Sequence, residues 1–336
     1  MKKIFFIGLA VVMCAIAANA QCVYPTDTVK IKFKLGIPGA ADGIFTVAAG
    51  KQVYFAQGNL QYQASTNTWR FAEHQYDYVG DATNGNVEVG AVKCNNANIS
   101  SSYTGWIDLF GWGTAGNSTA GGEYQPYATS STSADYVPYL TTAGEWTASK
   151  SDWGQNIVGA DWRSLTKAEW VYVFNTRATG KTVNGTSNAR YTMARITTGA
   201  TTYVDGIILF PDDYNAGTPS GVVWGNINST GAFTSSTTSC TAAGWTALED
   251  AGCVFLPFTN SRTWDKPNLI SITSYPADGI YWSSTRHLTK TAIYCLAFND
   301  ISTGASLYSA SANNLTVSYQ GTRQYGYTVR LVRDVK

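Results

Sequence analysis

The chain has 336 residues, 44% of them hydrophobic and only 13% charged, with a net charge of +1. So neutral a balance removes the electrostatic case for nucleic acid, which depends on clustered Lys and Arg. With few charges, the surface has to be made polar by Ser, Thr, Asn, Gln and Gly; 32 glycines, 21 tyrosines and 11 tryptophans point to a turn-rich, aromatic-anchored β fold and exclude a helix bundle.

Lys2 and Lys3 precede an apolar run over residues 4–18, and Ala18-Asn19-Ala20 follows as a small-x-small cleavage pattern. This predicts a signal peptide over 1–20, a mature end at Gln21 and an exported protein, secreted or on the outer cell surface. The run is shorter than the ~20 residues needed to cross a bilayer, and no later segment approaches that length, so no transmembrane segment is expected. Cys22 invites a lipid anchor, but Gln21 stands where lipid attachment uses a small residue.

Val29, Ile31, Phe33 and Leu35 then alternate with Lys30, Lys32 and Lys34, the period of a half-buried strand with a lysine-coated outer face. Gly36, Pro38, Gly39 and Gly43 read as a hinge, so residues 21–48 are expected to form a strand and linker ahead of a single domain over 49–336. Within that domain, Val53-Tyr54-Phe55, Leu60-Gln61-Tyr62 and Trp69-Arg70-Phe71 are strands separated by turn residues. Residues 84–122 and 127–148 read as long loops, a kind of segment that often carries function.

Thr166-Lys167-Ala168-Glu169 is a capping box and predicts a short helix through Asn175. A second helix is expected over 246–251, stopped by Gly252. The apolar runs 206–211 and 253–257, each closed by a proline, read as buried strands of one core. Three tail strands follow: Tyr281-Trp282-Ser283-Ser284, residues 292–298, and residues 327–332, where Val329 and Leu331 face one way and Arg330 and Arg333 project. Between the last two lies a stretch crowded with Ser, Thr, Asn, Ala and Tyr.

Few residue patterns carry chemistry. Cys22, Cys94, Cys240, Cys253 and Cys295 remain beyond the signal, an odd number without metal-ligand spacing. Cys240 and Cys253 flank the second helix; they are either a disulfide or small buried hydrophobes. Gly111-Trp112-Gly113-Thr114-Ala115-Gly116 has the letters of a dinucleotide fingerprint but precedes residues that do not start a helix. Two histidines, His74 and His287, leave no multi-histidine metal site and no support for a nucleophilic triad. Asp212, Asp213 and Asp300 are loop carboxylates that can serve calcium, though turn and capping roles suit them better, and no cofactor is expected. Trp106, Trp112, Tyr124, Tyr127, Trp146 and Trp153 can stack a sugar ring but are read first as anchors of loops to a core.

Trp162-Arg163-Ser164-Leu165-Thr166-Lys167-Ala168-Glu169-Trp170 resembles the helix-start signature of formylglycine-generating-enzyme-type sulfatase-modifying domains. Tyr281-Trp282-Ser283-Ser284-Thr285 and the closing Tyr327-Thr328-Val329-Arg330-Leu331-Val332-Arg333 are similar to the Fibrobacter succinogenes major paralogous domain family. Both resemblances, covering roughly 51–336, imply an α+β, C-type-lectin-like fold: a twisted antiparallel β core, two short helices and long irregular loops. The enzymes bind copper through a C-terminal cysteine pair, and this tail has Cys295 alone, so that activity is not carried over. Phe298-Asn299-Asp300 resembles the Trp-Asn-Asp calcium motif of sugar-binding C-type lectins, but the partner Glu-Pro-Asn or Gln-Pro-Asp motif is missing.

The tail over 281–333 also resembles the variable region of target proteins of diversity-generating retroelements, in which fixed borders enclose positions filled with Asn, Ser, Thr, Tyr, Ala, Asp or Gly. Small polar residues with tyrosine supply adaptable hydrogen bonds and rigid contact area. The reading implied is a non-catalytic binding protein for an extracellular protein or glycan, with a ligand face at Arg286, His287, Tyr294, Asn299, Asp300, Tyr308, Tyr319, Arg323 and Tyr325. Two alternatives remain: an enzyme using Cys295 or the Asp212-Asp213 loop, and a fimbria-associated subunit that pairs through its 29–35 strand.

Overall fold

The computed structural model describes residues 39–78, 99–115, 125–130, 144–145, 152–156, 161–200, 202–229, 237–259, 261–262, 278–286, 292–299 and 321–336. The chain divides into two units, Met1–Leu35 and Gly36–Lys336, and every described residue belongs to the second. The expected signal peptide, Cys22, Cys94 and the 29–35 strand lie outside the described residues.

In chain order the elements are β1 (Ala40–Ala48), β2 (Lys51–Ala56), β3 (Leu60–Gln63), β4 (Thr68–Phe71), β5 (Gly144–Glu145), β6 (Trp162–Ser164) and α1 (Lys167–Val171). Next come β7 (Thr182–Val183), β8 (Thr186–Ser187), β9 (Tyr191–Thr197), β10 (Tyr203–Leu209), β11 (Val222–Val223), β12 (Thr238–Cys240) and α2 (Ala242–Asp250). The last are β13 (Val254–Pro257), β14 (Asp278–Arg286), β15 (Ala292–Asn299), β16 (Gly321–Thr322) and β17 (Leu331–Asp334). The class is mixed α+β, mostly antiparallel, with two short helices. Three larger sheets run in the orders β1-β2-β17-β6, β11-β12-β9-β10-β13 and β16-β15-β14-β5; β3–β4 and β7–β8 are separate hairpins. The β12–β9 pairing is parallel.

Residues 40–48 correct the expected linker. They alternate in burial along the whole of β1, and Phe45 and Val47 pack with Val53 and Phe55 of β2 in one core cluster. The hinge glycine Gly43 instead serves a close approach: a Cβ there would overlap the Gly252 carbonyl. The last strand, β17, sits between β2 and β6 and so joins the β1–β2 hairpin to β6 in one sheet.

The two apolar runs pair with each other. β10 and β13 run antiparallel from Gly206 opposite Pro257 to Leu209 opposite Val254, and all four β13 residues are buried. Pro257 ends its strand, where a missing N–H is tolerated. α1 forms as the capping box requires: Glu169 N donates to Thr166 Oγ1 at 3.1 Å, and Thr166 N donates to Glu169 Oε2 at 2.9 Å. A wider, π-type turn over Tyr172–Thr176 continues it and buries Val173 and Phe174.

α2 begins four residues before the expected start. Thr241 is its N-cap, accepting from Gly244 N at 3.1 Å. Gly244 is a poor helix former and hides the first turn from a propensity reading. Its lack of a side chain lets Gly221 approach, since a Cβ would overlap the Gly221 carbonyl. Gly252 follows the helix with φ +83°, ending it as expected.

Candidate functional site

The tail's two borders are built into the core residue by residue. The Tyr281 hydroxyl donates to Pro257 O at 2.7 Å and the Trp282 indole to Phe110 O at 2.6 Å. Trp112 Nε1 donates to Ser283 O at 3.1 Å, and Ser283 Oγ donates to Tyr294 O at 2.6 Å, across a register shift between β14 and β15. Ser284 N donates to Leu165 O, and Thr285 Oγ1 accepts from Lys167 N at 2.9 Å, tying the motif to the start of α1. Tyr281, Trp282, Ser283 and Ser284 are all at most 3% exposed.

The closing border is held as firmly. Tyr327 and Phe110 exchange backbone hydrogen bonds, Trp282 N donates to Thr328 O, and Thr328 N donates to Ile280 O. Thr328 Oγ1 donates to Thr259 Oγ1 at 2.7 Å. Arg330 was expected to project; it is 1% exposed, and its guanidinium donates to Phe255 O and, at 3.4 Å, to Gln75 Oε1. The strand also starts later than expected, at Leu331, because residues 327 and 328 make only isolated bridges to Phe110 and Tyr281.

The expected ligand residues divide. Arg286 pairs with Ile293, and Ile293 with Gly321, so Arg286, Tyr294 and Arg323 gather at one end of the β16-β15-β14-β5 sheet. Asn299 pairs with Asp278 at the opposite end, about 20 Å along β15 at ~3.4 Å per residue. Arg286 and Arg323 are 5% and 7% exposed. Tyr294 and Tyr325 are half-buried and pack against the core cluster that holds Trp282 and Tyr327. Lys167 Nζ lies 4.1 Å from the centre of the Tyr294 ring, a contact from outside the tail that the sequence reading missed. His287, Asp300, Tyr308 and Tyr319 lie outside the described residues.

The other chemical candidates take structural places. Asp212 accepts from Thr46 N and Thr46 Oγ1, both at 2.6 Å, and pairs with Arg177 Nη1 at 3.1 Å, so both its oxygens are engaged. Cys295 is buried in β15, and burial pushes its thiol up to about 12. Cys240 and Cys253 are free, buried thiols, which corrects the disulfide reading. β9 and β10 lie between β12, which ends at Cys240, and β13, which follows Cys253. Three strand steps are about 14 Å, against about 4–7 Å between the Cα atoms of a disulfide. Trp112 and Trp153 are core residues at 1% and 0% exposure, and Arg70 covers the Trp106 ring at 3.6 Å. Tyr127 packs half-buried on the same cluster as Trp112 and Trp153, whereas Tyr124 and Trp146 lie outside the described residues. Among the described residues, no three His, Cys, Asp or Glu side chains gather as a metal site, and no helix is long and apolar enough to cross a membrane.

Three sheet edges are closed by side chains. Asp212 covers β1, donating its N–H to Ile44 O and accepting from Thr46 N. Asp152 covers β6, accepting from Ser164 N at 2.9 Å. Gln75, Arg330 and Tyr281 together take Cys253 O, Phe255 N, Phe255 O and Pro257 O along β13. No family model, characterised protein or solved structure matches the chain.

Proposed function

We propose that this chain is an exported, non-catalytic binding protein that presents its 281–333 tail, on a C-type-lectin-like scaffold, to an extracellular protein or glycan. One observation carries the reading. Both borders of the tail are fixed by buried hydrogen bonds to elements outside it, as a scaffold needs if the residues between are to change without unfolding it. The antiparallel sheets and two short helices are the parts a lectin-like scaffold would have. The half-buried Tyr294 and Tyr325, with Lys167 beside the first, are the described positions best suited to touch a ligand.

The alternatives are less well supported. A catalytic route through Cys295 would start from a buried thiol that holds its proton at neutral pH, the opposite of an activated nucleophile. A subunit that pairs through its 29–35 strand would use residues outside the described ones, and of the described edges β1, β6 and β13 are already engaged by side chains. Sequencing the DNA around the gene tests the proposal. A near-copy of the segment encoding 281–333 that differs only at adenines, beside a reverse transcriptase, is expected. Its absence would remove the diversified reading of the tail.

A further inference from the structure

Just ahead of β17 the core buries a positive charge with no acid in contact with it among the described residues. Arg330 is 1% exposed, and its only described partners are the Phe255 carbonyl and Gln75 Oε1, both reached from Nη2. Its Nε and Nη1 atoms are buried without a hydrogen-bond partner. Glu249, whose charge Arg330 feels, accepts instead from Gln75 Nε2 at 3.0 Å. Burial lowers the guanidinium to about 10, so it stays charged at neutral pH.

Beside it stands a second unsatisfied group. Asn59 is 0% exposed, and beyond the approach of its side chain to the Tyr281 hydroxyl its carboxamide has no described hydrogen-bond partner. Leu60 N donates to Val329 O at 2.9 Å, which brings the backbone of Asn59 and Leu60 against that of Val329 and Arg330. Tyr281 joins them: its oxygen is approached by the Asn59 side chain as a hydrogen-bond donor and lies within reach of the Arg330 charge, while its hydroxyl proton is committed to Pro257 O. Asp108 is the acid whose charge reaches Tyr281. Buried N–H donors left over on a charged and on a neutral side chain cost free energy unless something fills the place between them.

We propose that Arg330 and Asn59, beside Tyr281, hold a buried monovalent anion of halide size. An anion would take up the Arg330 Nε and Nη1 donors and the Asn59 N–H not turned to Tyr281, and offset the guanidinium charge, which a water molecule would leave unbalanced. The site lies beneath the fixed borders of the tail, so the ion would stabilise the framework without touching the ligand face. It is independent of the function proposed above.

The test is thermal unfolding of the purified full chain at one ionic strength, in sodium chloride against sodium gluconate. The expected result is a saturable rise of about 3 °C with chloride, lost in Asn59→Leu. Equal melting in both salts, or a chloride effect that survives Asn59→Leu, would overturn the proposal. Should Asn59→Leu not fold, wild-type crystals soaked in bromide decide the matter. An anomalous peak beside Arg330 Nε is expected, and its absence would leave the cluster to water.

Discussion

Trp282 shows how much one residue of the tail border carries. It is 1% exposed, its indole donates to Phe110 O, and its ring lies 4.5 Å from that of Tyr327 in the closing border. Trp282→Ala would leave a cavity and remove one of the two hydrogen bonds that Phe110 O accepts, and should cost about 3–5 kcal/mol, measured by denaturant unfolding. Glu169 makes a pH-dependent claim. Burial pushes its carboxyl up, but hydrogen bonds from Arg163 and Lys51 outweigh this and hold it below its ordinary 4.5. Folding therefore favours the ionised form. The stability it adds is fully present above about pH 4.5 and is lost as pH falls through the lower folded value. Glu169→Gln should flatten that part of the acid-unfolding curve; an unchanged acid limb would mean the ion pairs with Arg163 and Lys51 add nothing.

Elements depend on contacts of two kinds, and only one of them can be read along the chain. Capping box, period-two burial and proline-closed apolar runs are local, so α1, β2, β10 and β13 form where their residues indicate. β1 and the first turn of α2 depend on glycines whose partners are far away in sequence. Gly43 looks like a hinge until Gly252 is seen against it, and Gly244 looks like a helix breaker until Gly221 is. Gly252 also has φ +83°, so Gly252→Ala combines a strained backbone with an overlap against Gly43. It should cost at least about 1–2 kcal/mol, seen as a lower denaturation midpoint; a neutral effect would show that the β1–α2 junction relaxes freely. The expected site was legible to the same degree. Its borders are motifs and could be read, whereas the burial of Arg286, Arg323 and Arg330 is set by tertiary packing that no local pattern announces.

At the scale of the whole molecule, the framework accounts for the cysteines as well as the tail. Cys240, Cys253 and Cys295 are buried in sheet and helix packing, and burial pushes each thiol upward. Alkylation of the native protein followed by peptide mapping should leave all three unmodified, with full reaction only in denaturant. Rapid native labelling of Cys295 would reopen a catalytic reading. The central claim is that a fixed framework carries replaceable tail positions. Its most direct test is the melting temperature of a chain in which Asp300, Tyr308 and Tyr319 are changed together to serine. A melting temperature within a few degrees of the parent is predicted, while Trp282→Ala falls far below both. A collapse of the serine variant to the level of Trp282→Ala would contradict the account, making those tail residues part of the core.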